Sequence, residues 1–378
     1  MMGIRENVMQ IEQYLEELRP LIDIDCGTSN TAGVTAVAKM MQAKYQDLGW
    51  HTELVDLGAQ VGNGVFATNK PNAQQFDVLL VGHLDTVFPD GTVAERPMTN
   101  DEHNAYGPGV SDMKSGLLSI VWAIRQLAAT DLDRLAIAVT MNPDEEIGSP
   151  SSHKWIGEYA KKSKCVLVAE AARADGSLVK ARKGASQYKL KFTGRASHAG
   201  NAPEQGRSTI NELAHWILAV NKLAKPELGT TLNVGVVKGG DAGNIVPDKA
   251  EAIVDLRYRS NEEYKRVNQA LIEMAKTAFT PDIAIELTQM SMSPAMDPSV
   301  ETEKLMALVE RCGQEEGIEI KWQSVGGGSD ANHTAALGIP SLDGFGPIGS
   351  NFHSPAEYLD LDSVLPRINL LKRVISAL

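Results

Sequence analysis

The stretch Phe76–Gly91, FDVLLVGHLDTVFPDG, joins a short apolar run to a polar end. The run is typical of a buried strand, and His83 and Asp85 follow it one residue apart. Because alternate side chains of an extended chain point to the same face, His83 and Asp85 look into one small volume. Taken alone, this pattern fits equally well a polar turn that closes a strand, so other parts of the chain must decide.

Strand and helix patterns alternate on both sides of this stretch. Apolar strands are predicted at RLAIAVTMN and KCVLVAE, with a helix at SGLLSIVWAIRQLAA, which is typical of a layered α/β domain. After residue 181 the order becomes βαββαβ, the ferredoxin-like α+β arrangement. From residue 292 the helix and strand patterns resume. We therefore predict one α/β domain formed by residues 1–181 and 292–378, with residues 182–291 inserted as a second domain.

Composition excludes several classes of partner. The 378 residues include 48 Asp and Glu against 36 Lys and Arg, without a run of five or six like charges, so no nucleic-acid or membrane partner is expected. No stretch approaches the roughly 20 apolar residues of a transmembrane helix. The N-terminal segment spaces Val8, Ile11, Leu15 and Leu18 as on an amphipathic helix, and three scattered cysteines predict no disulfide framework. A cytoplasmic location is expected.

Histidines and carboxylates recur at the ends of predicted elements. Glu145 and Glu146 follow the strand RLAIAVTMN, Glu170 ends the strand KCVLVAE, and Asp112 and His353 lie in the loops AYGPGVSDMKSG and NFHSPAEYLD. Ligands of open α/β sheets bind beyond the carboxyl ends of the strands, and imidazole and carboxylate are ligands for zinc and similar divalent metals. Paired glutamates can divide metal binding and proton transfer between them, although a solvated acidic turn explains this pair alone equally well.

Six motifs, in order from about Val81 to Asp360, carry a family resemblance. GHLDTV, YGPGVSDMKSG, NPDEEIGS, GRASHAG, GGGSDA and HSPAEYLD resemble those of the M20 family of di-zinc metallopeptidases and deacylases, most closely its glutamate carboxypeptidase branch. The resemblance implies a zinc-exopeptidase-like catalytic domain and an inserted lid and dimerisation domain. It also implies a homodimer and two divalent metal ions, zinc in the first place, with cobalt or manganese as alternatives.

The resemblance also implies a role for each residue of the first domain. One metal would be bound by His83 and Glu170, the second by Glu146 and His353, with Asp112 bridging both. Glu145 would be the general base. Asp85 would hold the ring of His83, as carboxylates near metal-bound imidazoles commonly do.

The resemblance singles out three substrate-binding residues in the inserted domain, and a fourth candidate, Gly327, follows that domain in the chain. His198 would cross to the partner subunit's site and stabilise an oxyanion, and Arg257 would bind the free carboxylate of the substrate, with Asn244 and Gly327 as further contacts. Taken alone, a surface histidine, a solvated arginine and a flexible glycine turn explain these positions as well. The remaining histidines are interpreted as surface or packing residues: His51, His103, His153, His215 and His333.

The implied activity is metal-dependent hydrolysis of an amide bond next to an amino acid with a free carboxylate, in a small peptide or an N-acyl amino acid. One alternative is an N-acyl-amino-acid deacylase of the acetylornithine deacetylase or succinyl-diaminopimelate desuccinylase type, and another is a non-catalytic binding protein. After Glu170 the sequence reads Ala171-Ala172-Arg173, where many members of the family carry Pro-Thr. That loop borders the family's pocket, so substrate choice stays open.

Overall fold

The computed structural model describes residues 2–378, with side chains from residue 9 onward. The chain divides into two compact units, the first formed by Met1–Ala181, Pro298–Val325 and Ser329–Leu378, and the second by Arg182–Asp297 and Gly326–Gly328. The predicted end of the insertion, residue 291, falls inside the last strand of the second unit. That strand lies at a sheet edge, and Met290 and Met292 of its C-terminal half alternate with polar residues but are exposed.

The helices and strands follow in chain order. The helices are α1 (Met2–Ile22), α2 (Thr31–Asp47), α3 (Thr92–Glu95), α4 (Ser115–Arg125), α5 (Ala129–Arg134), α6 (His153–Ala160), α7 (Thr209–Asn221), α8 (Asn261–Ala275), α9 (Val300–Glu315), α10 (Asp330–Ala336) and α11 (Leu361–Ala377). The strands are β1 (His51–Val55), β2 (Gly64–Thr68), β3 (Val78–His83), β4 (Thr99–Asn100), β5 (Asn104–Tyr106), β6 (Ile137–Asn142), β7 (Val166–Val168), β8 (Leu178–Arg182), β9 (Gly184–Thr193), β10 (Ser197–His198), β11 (Thr231–Gly239), β12 (Ile245–Val246), β13 (Lys249–Tyr258), β14 (Ala284–Ser293), β15 (Trp322–Val325), β16 (Ser341–Leu342), β17 (Gly349–Ser350) and β18 (Tyr358–Asp360).

The first unit is built on a six-stranded mixed sheet with the order β1-β2-β6-β3-β7-β16. Its central strands β6, β3, β7 and β16 are parallel, and β3 and β6 are buried along their whole length because helices cover the sheet. A single large apolar core packs α1, α2, α4, α9 and α11 against this sheet. The carboxyl ends of β3, β6 and β7 therefore meet at one edge.

The second unit contains a four-stranded antiparallel sheet with the order β11-β13-β9-β14, and α7 and α8 supply its two helices. This is the predicted βαββαβ arrangement, so the fold class of both parts is confirmed. Tyr188, Leu190 and Phe192 of β9 alternate into the core with Trp216 of α7. The opposite sheet face is partly exposed, and Arg257 lies on it between buried Leu256 and Tyr258.

The N-terminal helix is amphipathic, as its spacing predicts. Leu18 is buried, and Ile11 and Leu15 pack at the edge of the core, whereas the side chain of Val8 lies outside the described residues. No helix within residues 2–378 is long and apolar enough to cross a membrane.

Candidate metal centre

The edge where the parallel strands end collects the predicted polar residues of the first unit. His83 is the last residue of β3 and lies beside Asn142, the last residue of β6. Glu145 and Glu146 follow in a 3₁₀ turn, Glu145–Ile147, and Glu170 comes two residues after β7. Chain segments more than 80 residues apart in sequence thus meet because parallel strands place their carboxyl ends together.

His83 is common to two groups of possible metal ligands. Its ligand atom and those of Glu145 and Glu170 lie within 4.8 Å of one another, and the same holds for His83, Asp112 and Glu146. His83 Nε2 lies 3.1 Å from Asp112 Oδ1 and 3.6 Å from Glu170 Oε1. Nδ1 of the same ring lies 3.0 Å from the carbonyl oxygen of Asp85, which can only accept, so Nδ1 carries a proton and Nε2 is the ring nitrogen that faces the carboxylates.

His353 brings a second imidazole to the same carboxylate. Its Nε2 lies 3.2 Å from Asp112 Oδ2 and 3.1 Å from Glu146 Oε2. His353 has a left-handed backbone with φ of 61°, which is uncommon for a residue with a side chain. Each oxygen of Asp112 therefore lies beside a different histidine, an arrangement that suits a carboxylate bridging two cations.

Negative charge is concentrated between the two histidines. Burial alone would lower the pKa of His83, but Glu170, Asp112 and Asp85 raise it well above the ordinary value. Asp112 and Glu146 raise the pKa of His353 to about 10. Burial alone would raise the pKa of Asp112, but hydrogen bonds from the two histidines hold it far below the usual range. Such a cluster stabilises positive charge, and its imidazole and carboxylate donors fit a divalent cation.

Asp85 is buried and holds the turn that carries the two glutamates. Its Oδ1 accepts from the backbone N–H of Glu145 at 3.2 Å, and its Oδ2 from that of Glu146 at 3.3 Å and from the Thr28 hydroxyl at 2.6 Å. The His83 ring lies 3.3 Å from Oδ1 but closer to the Asp85 carbonyl. The carboxylate thus acts on the 3₁₀ turn as well as on the ring for which it is predicted.

Burial also raises the pKa of Glu145 well above its ordinary value. Repulsion from Glu170, Asp330 and Glu146 acts in the same direction, and attraction by His83 opposes it. Among the hydrogen bonds of the described residues, Glu145 contributes only its backbone N–H and carbonyl, so its carboxylate stays available to a bound molecule.

Glu357 is a buried residue of this site that the sequence did not single out. It accepts from the backbone N–H groups of Gly109 at 3.0 Å, Ser111 at 2.9 Å and Asp112 at 3.0 Å, and so fixes the loop that carries Asp112. Burial raises its pKa to about 7 against the effect of these donors. The contacts span about 245 positions of the chain, and no local spacing indicates them.

A second set of buried polar groups lies behind the 3₁₀ turn. The Ser149 hydroxyl donates to Asp330 Oδ1 at 2.5 Å, and the Asn142 side-chain amide donates at 3.1 Å to Ser149 and to Ser152. Ser152 in turn donates to Asp144. Burial raises the pKa of Asp330 to about 7. The only signal for these residues in the sequence is their position at helix and strand ends, which is also where capping residues occur.

The predicted residues of the inserted domain lie in the second unit. His198 Nδ1 accepts from the N–H groups of Gly200 and Asn201, each at 3.1 Å, so the ring proton is on Nε2. Asn244 accepts through its carbonyl from Ala199 N at 2.9 Å. The antiparallel pair of β10 and β12 thus holds His198 and Asn244 close together, with His198 exposed.

Arg257 and Gly327 have partners within the same unit. Arg257 Nε lies 2.9 Å from Asp255 Oδ2, and Nη2 lies 3.3 Å from Oδ1, which leaves Nη1 as the remaining donor group. The carbonyl of Gly327 accepts from Arg182 Nη1 at 3.1 Å. A Cβ at Gly327 would meet nothing within 4 Å, so its backbone is open to solvent.

The histidines interpreted as surface or packing residues belong to neither group of possible metal ligands. His153 and His333 pack against each other with ring centroids 5.2 Å apart, beside the turn that carries Glu145. His51 and His103 pair with the exposed Glu53 and Asp362, and His215 packs on Phe279.

Comparison with known proteins identifies the family. The model of peptidase family M20/M25/M40 matches residues 79–377. The chain belongs to this family. Carboxypeptidase G2 of Pseudomonas sp. (strain RS-16) is 30% identical to this M20 chain over 369 residues, covering 96% of the chain and 88% of the relative. The chain is therefore an M20 hydrolase, of a family that is metal-dependent.

Other members of the M20 family are similar over most of their length. Acetylornithine deacetylase of Myxococcus xanthus is 24% identical over 358 residues, covering 89% of this chain and 90% of the relative. The crystal structure of aminopeptidase PepT from Bacillus cereus ATCC 10987 superposes with a TM-score of 0.79 at 24% identity, covering 97% of this chain and 98% of that one. The structural likeness supports the M20 fold, and the relatives differ in substrate.

Proposed function

We propose that this M20 hydrolase is an exopeptidase that cleaves an amide bond next to an amino acid with a free carboxylate. The observation that carries the proposal is Asp112, whose two oxygens lie beside different histidines, with Glu145 adjoining the same cluster. The 30% identity to a protein named as a carboxypeptidase supports this choice of substrate. The substrate would be a small peptide or an N-acyl amino acid.

The donor set fits two divalent metal ions, which we propose to be zinc. His83 and Glu170 would hold one, Glu146 and His353 the other, and Asp112 would contact both. When bound, such a pair of ions polarises a carbonyl group and makes a water molecule more acidic. Imidazole and carboxylate without thiolate also suit cobalt or manganese, which remain alternatives.

Glu145 is the proposed general base. Its carboxylate would accept a proton from the attacking water while the water oxygen bonds to the amide carbon. It would then pass that proton to the leaving nitrogen as the carbon–nitrogen bond breaks. The hydrogen bonds from the turn to Asp85 would fix Glu145 for both transfers, since they hold its backbone and leave its side chain available.

The second unit supplies the proposed substrate contacts. His198 would donate from Nε2 to the oxyanion that develops on the scissile carbonyl. Arg257 Nη1 would bind the free carboxylate, with Asn244 and the open backbone of Gly327 as further donors. We propose that this unit acts as a lid and as a dimer interface, so that His198 serves the partner subunit's site.

Deacylation of an N-acyl amino acid is the second candidate function. It is favoured by the acetylornithine deacetylase relative. The Ala171-Ala172 pair after Glu170 leaves substrate choice open. Ala171 and Ala172 are both buried, and Ala172 donates to Pro347 O at 3.1 Å, so this pair packs against the segment that leads to His353.

Product release distinguishes the two candidate functions. Dipeptides and N-acyl amino acids with free carboxylates are supplied with zinc, cobalt or manganese, and we expect a higher kcat/KM for the dipeptides. A higher kcat/KM for the N-acyl amino acids would favour deacylation. Arg257→Ala should raise KM about 10-fold or more for these substrates and hardly at all for their amides, because only the former lose a charge-assisted contact. Lys276→Ala, an exposed cation of the same unit, is the control. Equal KM changes for acids and amides would contradict the role of Arg257.

Subunit mixing tests the proposed dimer. His198→Ala and Glu145→Gln, each inactive as a homodimer, are combined under conditions in which subunits exchange. A mixed dimer then has one site with an intact Glu145 and the partner's intact His198, so random exchange should restore about a quarter of the wild-type activity. The same mixture without exchange is the control. Failure to recover activity despite demonstrated exchange would place the action of His198 within its own subunit or exclude it.

A further inference from the structure

The C-terminal helix α11 carries a buried arginine without an ionic partner. Arg367 is 4% exposed, and within residues 9–378 no carboxylate lies close enough to form an ion pair with it. Its Nη2 donates to the carbonyl of Gly176, whereas Nη1 is buried without a hydrogen-bond acceptor among the described residues. Burial lowers the pKa of the guanidinium to about 10, and attraction by Asp175 opposes this shift only in part, so Arg367 stays charged at neutral pH. A buried cation of this kind is costly unless an anion compensates it.

A cavity adjoins this arginine within the first unit. It has a volume of about 280 Å³, and Arg367 lines it together with Gly176, Lys321, Ile348, Ser363 and two acids, Asp175 and Glu319. Asp175 already has donors, because it accepts from Ser177 N and from Gln323 Nε2, each at 3.0 Å. Lys321 contributes a second positive charge and lies 3.3 Å from Glu319. The lining therefore holds two cations and two carboxylates, each carboxylate already has a partner, and the cavity leaves room for a small molecule beside Arg367.

We propose that this cavity binds a small oxyanion, a carboxylate or a phosphate, through Arg367. The oxyanion would supply the acceptor that Nη1 lacks and the charge that balances the guanidinium. Because Nη1 is enclosed, the ligand would draw the guanidinium a short way into the cavity. This site is separate from the candidate metal centre, and its occupancy does not depend on the proposed hydrolytic activity.

The cavity adjoins two segments that lead to candidate metal ligands. Gly176 lies six residues after Glu170, and Ile348 lies five residues before His353. The segments are tied together by hydrogen bonds from Gly346 N to Glu170 O at 2.8 Å and from Ala172 N to Pro347 O at 3.1 Å. An oxyanion bound at Arg367 would therefore stabilise the packing behind both ligands and act as an effector of the enzyme.

Thermal unfolding of the metal-loaded protein measures binding, because a ligand of the native state raises Tm in a saturable way. Sodium acetate and sodium phosphate are titrated separately at constant ionic strength. The concentration of each anion that gives half of the maximal rise in Tm shows which oxyanion binds more tightly. We expect saturable stabilisation of the wild type and an affinity at least about tenfold lower for Arg367→Met. Arg373→Met, which removes an exposed arginine from the same helix, should keep the wild-type response.

Lys321→Glu is a second variant, at an exposed position where the substitution should not prevent folding. It should lower the affinity for the oxyanion several-fold, as measured by the rise in Tm. Oxyanions that bind only at the metal centre would stabilise wild type, Arg367→Met and Lys321→Glu alike, and that result would overturn the proposal. A wild type without saturable stabilisation would overturn it as well. Loss of hydrolytic activity in any preparation would count against the proposed function only, because this test measures Tm and not activity.

Discussion

Glu145→Gln is expected to lower kcat by about 10² to 10⁴-fold while KM and metal content stay near the wild-type values. Glutamine has nearly the same shape, so the backbone N–H of residue 145 can still donate to Asp85. Its amide, however, cannot accept the proton of the attacking water and deliver it to the leaving nitrogen. The measurement is steady-state kinetics with metal analysis of the same preparation.

The matched control is Glu158→Gln, which changes an exposed glutamate of α6 in the same unit. It should leave kcat unchanged. If Glu145→Gln kept near wild-type kcat at full metal content, another group would have to be the base. If the variant lost its metal, Glu145 would be a ligand, a possibility raised by its place in one of the two ligand groups.

Removal of metal is expected to reduce hydrolysis to the background rate, and readdition of zinc to restore it. Without cations, the carboxylates of Asp112 and Glu146 repel each other, and His83 and His353 compensate this repulsion in part. Asp112→Asn should lower both metal content and activity, because the amide offers one oxygen where the carboxylate offers two. Elemental analysis of dialysed protein and an activity assay measure the two effects.

Glu357→Gln should give an intermediate result in the same assay. It weakens the acceptor that fixes the loop bearing Asp112, and loss of such outer contacts commonly costs about 10- to 100-fold in metal affinity. His103→Asn, which alters an exposed histidine, is the control. Full activity after verified removal of all metal would contradict the proposed role of the cluster.

The sequence predicted those parts of the fold and candidate site that depend on local pattern. Apolar runs marked β3, β6 and β7, and polar residues at their ends indicated where His83, Glu145 and Glu170 would meet. The ferredoxin-like order was also readable, because β9 and β13 alternate between a buried and a half-exposed face. Asp112 and His353 could be grouped with these residues from their loops, but their roles as a bridging ligand and a ligand of the second metal required the family resemblance.

Other residues could not be found from local pattern because their partners are distant in sequence. Glu357 contacts Ser111 across 246 positions, and Asp330 contacts Ser149 across 181. A glutamate before a short strand and an aspartate at a helix start are ordinary in sequence, and only burial makes them unusual. The same holds for Arg367, whose burial depends on how α11 packs.

Asp85 has a consequence for how this region can change during evolution. One carboxylate accepts from the backbone of Glu145 and of Glu146, and the same residue orients the ring of His83 through its carbonyl. Substitutions in β3 and in the 3₁₀ turn therefore share a partner, and their effects should combine non-additively. A substitution in one segment limits which substitutions the other can accept. The two segments are therefore expected to vary together across descendants of this sequence.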